Sequence, residues 1–196
     1  MIPKLLILGV DTILKIICEK IIIKNIKIIN KNKNFNIRTD ELYINAESIV
    51  FNKININKIS IKIKDIILQF AITKNNFFIK SCYAEVKIRL SKDNINKTLS
   101  EHKWDRLKTS IESFILMSFK NVDIKNKSIY FVSSDGFLNK DIYYNLQYDN
   151  NSISLVNNIN KEKLSILNDK NIIINNLYFN GSYIELELSS KIIFSK

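Results

Sequence analysis

A chain whose polar–apolar alternation gives way to helical spacing across one serine has few ways to fold. Tyr83-Ala84-Glu85-Val86-Lys87-Ile88-Arg89-Leu90 alternates strictly, the period of a strand with one buried face. Ser91-Lys92-Asp93-Asn94-Ile95-Asn96 follows, and then Trp104, Leu107, Ile111, Phe114 and Ile115 recur at the three-to-four spacing of a helix. Ser91 stands where a helix cap belongs. Strand-like alternation surrounds this junction, at residues 21–29, 35–38, 42–51, 54–66 and 67–73 before it. After it come Ile124 and residues 128–133, 141–148, 152–156, 172–179 and 182–194.

Details of the pattern refine this reading. Ile54 and Ile56, then Ile59, Ile61 and Ile63, alternate cleanly, but the phase slips by one at Asn57-Lys58, which calls for a bulge or a tight turn. Residues 77–90 read as one strand about 46 Å long. Asn75-Asn76, Asp135-Gly136 and Asn150-Asn151 are turn signals, and Asn180-Gly181 between Tyr178-Phe179 and Tyr183-Ile184 signals a hairpin. Residues 157–170 are polar and read as a loop, with a helical turn over 161–167. Pro3 opens an N-terminal helix whose apolar face runs through Leu5, Leu6, Leu8, Ile13, Leu14, Ile16 and Ile17 to Cys18. That helix packs on the sheet, or else lies on a bilayer or gates an opening. The main helix is expected over 102–119, about 27 Å long.

The helices are too few to cover the apolar face of so many strands. A flat sheet would leave a large greasy patch, which soluble proteins avoid. The sequence therefore predicts an α+β fold: an elongated, strongly twisted antiparallel sheet wrapped around a long helix, plus an N-terminal helix. With three glycines and one proline in 196 residues there is no linker composition, so residues 1–196 are expected to form a single domain.

The formal charge is +11, from 30 lysines and arginines against 19 acids. Abundant lysine beside isoleucine and asparagine fits A/T-rich codons and a solvated face; it also fits attraction to an anionic surface. Only Arg38, Arg89 and Arg106 supply guanidinium groups, and with no RNP-type or helix-turn-helix pattern this disfavours nucleic acid. Cys18 and Cys82 are too scattered for a disulfide framework or a zinc site, and no metal-ligand cluster is spaced for binding. His102 stands without a partner motif, and no nucleophile elbow, phosphate loop or zinc-protease motif occurs. A non-enzymatic protein without cofactors is expected. Glu185 and Glu187 share one strand face and read as solvated partners of lysine. With no membrane-length apolar run and a poor signal peptide, the expected location is intracellular, cytoplasmic with peripheral membrane association.

A sheet rolled on a helix readily encloses a dry groove, and an acyl chain left in water costs about 0.8 kcal/mol per methylene. The apolar residues of the sheet (Ile61, Ile63, Val86, Ile88, Leu90) and of the helix (Leu107, Ile111, Phe114, Ile115) would line such a groove. The same residues also suit a filled core. The stretch from Val86 to Leu99, followed by Trp104, resembles the central motif of the bacterial LmeA-like phospholipid-binding family. Leu90-Ser91, Asp93, Ile95-Asn96 and Leu99 carry the likeness; Asn94 stands where that family often has aspartate. The closing hairpin around Asn180-Gly181 is similar too. The resemblance implies a tubular lipid-binding-like fold that holds a phospholipid, or another acyl-chain lipid, beside an anionic membrane surface. A structural or assembly protein using the apolar face for a protein partner is the alternative from a different class, and a basic nucleic-acid-binding domain is a third.

Overall fold

The computed structural model describes residues 10–12, 14–29, 38–71, 76–136 and 142–193. Among them, the strands form two antiparallel sheets. The larger sheet contains β1 (Lys20–Ile29), β2 (Arg38–Phe51), β3 (Ile54–Ala71) and β4 (Asn76–Ser91). It closes with β10 (Ile173–Asn180) and β11 (Tyr183–Ile193) in the order β1-β2-β3-β4-β11-β10. The smaller sheet is a meander of β5 (Phe119–Lys125), β6 (Ser128–Ser133), β7 (Tyr144–Tyr148), β8 (Ser152–Asn157) and β9 (Lys163–Asn168). Helical residues 10–12 and 14–17 (α1) precede the larger sheet, while α2 (Lys92–Leu99), a 3-10 turn (His102–Trp104) and α3 (Asp105–Ile115) connect the two sheets.

Sheet-rich α+β architecture is therefore what the alternation produces. The β2–β3 hairpin turns on Asn52 and Lys53, both at positive φ (52° and 66°), matching the twist that two-residue hairpins favour. The slip at Asn57-Lys58 is matched across the hairpin. In β2 the buried positions run Leu42, Ile44, Ala46 and then Ile49, with Ser48 at φ 52° between them. Pairing stays in register from Glu47↔Lys58 to Ile49↔Ile56, so both strands shift phase together and the apolar face is preserved. Residues 54–71 form one strand rather than two, with Asp65 at φ 50° where β3 and β4 shift register. Gly181 at φ 62° turns β10 into β11.

Three expectations are corrected. The helix expected to reach Phe119 stops at Ile115, so a long helix running through the fold is replaced by an 11-residue one behind a 3-10 turn. Leu116 adopts the left-handed conformation (φ 56°) at 91% exposure, and the Glu112 carboxylate accepts the Phe119 amide at 3.2 Å as the chain enters β5. Residues 163–168, read as loop with a helical turn, form β9; Leu164 and Ile166 join the core from alternate positions. Glu185 is 2% exposed rather than solvated. The expected strand at 35–38 lies outside the described residues except for Arg38, as does the Asn75 side of its turn. Most of the N-terminal helix also lies outside them. Among the described residues, no helix is long and apolar enough to cross a membrane.

Candidate functional site

The junction that constrained the sequence becomes the strut between the two sheets. Ser91 caps α2, its Oγ accepting the Asn94 amide at 3.2 Å. Three residues of α2 and its cap then reach outward. The Ser91 amide donates to Asn57 Oδ1 at 2.5 Å, and Thr98 Oγ1 accepts the Asn55 amide at 2.9 Å, so α2 is tied to β3. Asn96 behaves like a piece of neighbouring strand: its Nδ2 donates to the Val122 carbonyl at 3.0 Å, and its Oδ1 accepts the Val122 amide at 2.7 Å. That reciprocal pair ties α2 to β5. Asn96 was legible only as part of a degenerate motif; its clasp was not.

Beside this strut, the apolar faces of the two sheets frame a half-open cavity of about 220 Å³. The large sheet contributes Ile54, Leu90, Leu177, Ile184 and Leu186; the helices contribute Ile95, Leu99, Leu107 and Ile111. The small sheet closes it with Val122, Ile129, Phe131, Leu146, Ile153, Leu155 and Ile166. Asn55 and Thr98 supply the polar corner and are hydrogen-bonded to each other. An apolar hollow of comparable size stays dry and takes up apolar molecules in an engineered protein.

Of the nine residues expected to line a groove, Leu90, Leu107 and Ile111 border this cavity. Phe114 and Ile115 belong to the adjoining core, where Phe114 meets Tyr144 with ring centroids 5.9 Å apart. Ile61 and Ile63 pack with Leu42, Ile44 and Cys82 beneath Val10 and Leu14 of α1. Ile88 packs with Ala46, Ile49 and Ile56. Val86 pairs with Ile61 and Leu188 in the middle of the sheet. The expected lining is thus divided among neighbouring parts of one apolar face. The cavity walls from β7 to β10 were not foreseen, because nothing local marks which strand faces will meet across a gap.

The opposite face of the larger sheet carries the charges. Glu185 Oε1 accepts from Arg89 Nη2 at 2.6 Å and Nε at 3.0 Å, and Oε2 accepts the Tyr178 hydroxyl at 2.6 Å. Asn180 adds a donor at 3.1 Å, and Lys87 Nζ stands 3.2 Å away. The Tyr178 hydroxyl first, with Asn180, Arg89 and Lys87, overcomes burial and holds the Glu185 carboxyl at about 2. Lys87 is raised by its bonds to Tyr178, Glu187 and Glu185. Beside this network lies an open trough of about 320 Å³ bordered by Tyr43, Lys62, Lys87 and Glu187, with Ile61 and Val86 also on its lining. Lys62 and Lys87 each have a carboxylate partner, at 3.2 Å (Glu41) and 3.0 Å (Glu187). Such a ladder binds itself.

Among the described residues, the side chains with catalytic potential stand apart from one another. His102 is fully exposed, 3.3 Å from Asp105. Burial raises the Cys82 and Cys18 thiols, which keeps them protonated and unreactive. No group of histidine, cysteine and acidic residues that could hold a metal ion occurs among the described residues. Comparison with family models, with curated proteins and with solved structures finds no match for this chain.

Proposed function

We propose that this protein is a non-enzymatic lipid-binding protein that takes an acyl chain into the cavity between its two sheets. The observation that carries the reading is the cavity itself: a lining of aliphatic and aromatic side chains with two polar members at one corner, where the Asn55 backbone amide donates to Thr98 Oγ1. A hollow of this kind loses packing contacts, with a stability cost of about 24 cal/mol per Å³ in measured core-truncation series. A chain that retains one gains by filling it. The likeness of the strand–helix junction to the LmeA-like family, and a tubular lipid-binding-like architecture, belong to the same reading.

Peripheral attachment to an anionic membrane is part of the proposal. The net charge of +11 supports it, as do Ile16 and Ile17 at 75% and 51% exposure beside Lys15 and Lys20. Lipid transfer would be the corresponding activity. Native mass spectrometry and lipid extraction of the purified protein test the reading. Co-purifying acyl lipid, released by filling the cavity, is expected; protein that is lipid-free and fails to take up any offered apolar compound would refute it. The same exposed isoleucines also favour a second reading, in which a protein partner covers α1. A stable, lipid-free complex on size-exclusion chromatography would establish that alternative.

A further inference from the structure

We infer that the cavity accepts one hydrocarbon chain, about nine carbons deep, whose anionic head group sits at the Asn55–Thr98 corner beside Lys53 and Lys103. This rests on the lipid-binding reading and narrows its ligand to single-chain amphiphiles. Volume limits what the cavity can hold. A 150 Å³ cavity holds benzene, which sets about 25 Å³ per carbon, so about 220 Å³ holds about nine carbons. Pockets that enclose larger ligands start at about 300 Å³. A two-chain phospholipid would leave most of both tails in water.

Polarity limits where the head group can sit. Apart from Asn55 and Thr98 the lining is aliphatic and aromatic, and the Asn55 backbone N–H is already bonded to Thr98 Oγ1. A head group must emerge where the lining turns polar. That corner leads directly to the β2–β3 turn, where Lys103 Nζ donates to Asn52 Oδ1 and Lys53 Nζ meets Glu19 at 2.6 Å. Lys103 also adds to the electrostatic lowering of Glu19, so the two ammonium groups act on one small region. Glu101 lies within electrostatic range of Lys53 as well. Lys103 Nζ donates to the neutral Asn52 Oδ1, and a carboxylate or phosphate head would give it a charged acceptor.

Isothermal titration of the full chain with n-alkanoates from six to sixteen carbons, below their micellar concentrations, tests this. Affinity should rise about fourfold per methylene up to nine or ten carbons and then level off. Decyl phosphate should match decanoate, separating a general anionic preference from a carboxylate-specific one. Lys103→Glu should weaken decanoate about fivefold while leaving decanol unchanged, with circular dichroism confirming the fold. Equal loss for both ligands would overturn the head-group placement. An affinity still climbing at sixteen carbons, or diacyl phosphatidylglycerol binding as tightly as decanoate, would overturn the single-chain limit but leave lipid binding standing. Failure of every alkanoate, alkanol and diacyl lipid to bind would sink the underlying reading itself.

Discussion

Two adjacent cross-strand pairs in β4 and β11 face opposite environments. Arg89 pairs with Glu185 and closes a network in which both carboxylate oxygens are occupied; Leu90 pairs with Ile184 one residue along and borders a hollow. The polar face is finished around Glu185: the buried carboxylate has four partners, and Lys62 and Lys87 lie against acids and tyrosine rings. The apolar face is not: beside α2, which is hydrogen-bonded to both sheets, it frames the half-open cavity. The charged face satisfies its own groups, and the capacity for a ligand lies in the face that is open.

The sharpest break of this comparison comes from truncating a packed residue at the boundary. Ile184→Ala, at a position 5% exposed, should cost about 3–4 kcal/mol in urea unfolding. A loss below about 1 kcal/mol would mean that the two sheets do not share a core.

Next in size is the carboxylate on the other side of the strand. Glu185 is held at about 2, well below its ordinary value, so the unfolded chain binds its proton more readily than the folded one. Its contribution is complete above about pH 5 and disappears as the pH falls towards 2. That shift corresponds to about 3 kcal/mol. Glu185→Gln should therefore destabilise by about 2–3 kcal/mol at pH 7 and by much less at pH 3. Equal destabilisation at both pH values would deny the carboxylate its role.

What sequence could and could not supply follows the same division. Alternation marked β2, β3, β4 and β11, and Ser91 marked the cap, because each depends on residues a few positions apart. Glu185 read as a solvated acid because its ion-pair partner Arg89 is 96 residues away, and Tyr178 and Asn180 reach it only once the closing hairpin forms. β9 was hidden in a polar stretch where only Leu164 and Ile166 betray a core-facing side. The end of α3 carried no glycine signal, since Leu116 takes a conformation that glycine usually fills. Leu90, Leu107 and Ile111 were identifiable as apolar lining. The volume between them depends on the reach of Asn96 and Thr98, which no local pattern encodes.

Smaller effects sharpen the contrast. Leu107→Trp adds bulk to the cavity wall and should change stability by less than about 1 kcal/mol, where the same enlargement in a filled core costs about 1–3 kcal/mol. It should also abolish retention of acyl lipid in native mass spectrometry. A large destabilisation would show that the space is already occupied by side chains. Leu116→Gly, at a site making little contact, should stabilise by about 0.5–1 kcal/mol, read from the urea midpoint. No change there would mean that α3 ends without conformational cost.

Lipid binding requires the space between Ile111 and Leu186 to be hollow, dry and open to apolar guests. Crystals of the protein pressurised with xenon test it most directly, because xenon enters empty apolar cavities and leaves filled or hydrated ones alone. The account predicts a strong xenon peak between those two side chains, lost in Leu107→Trp. An interior without xenon, packed by side chains or holding ordered water, would contradict it.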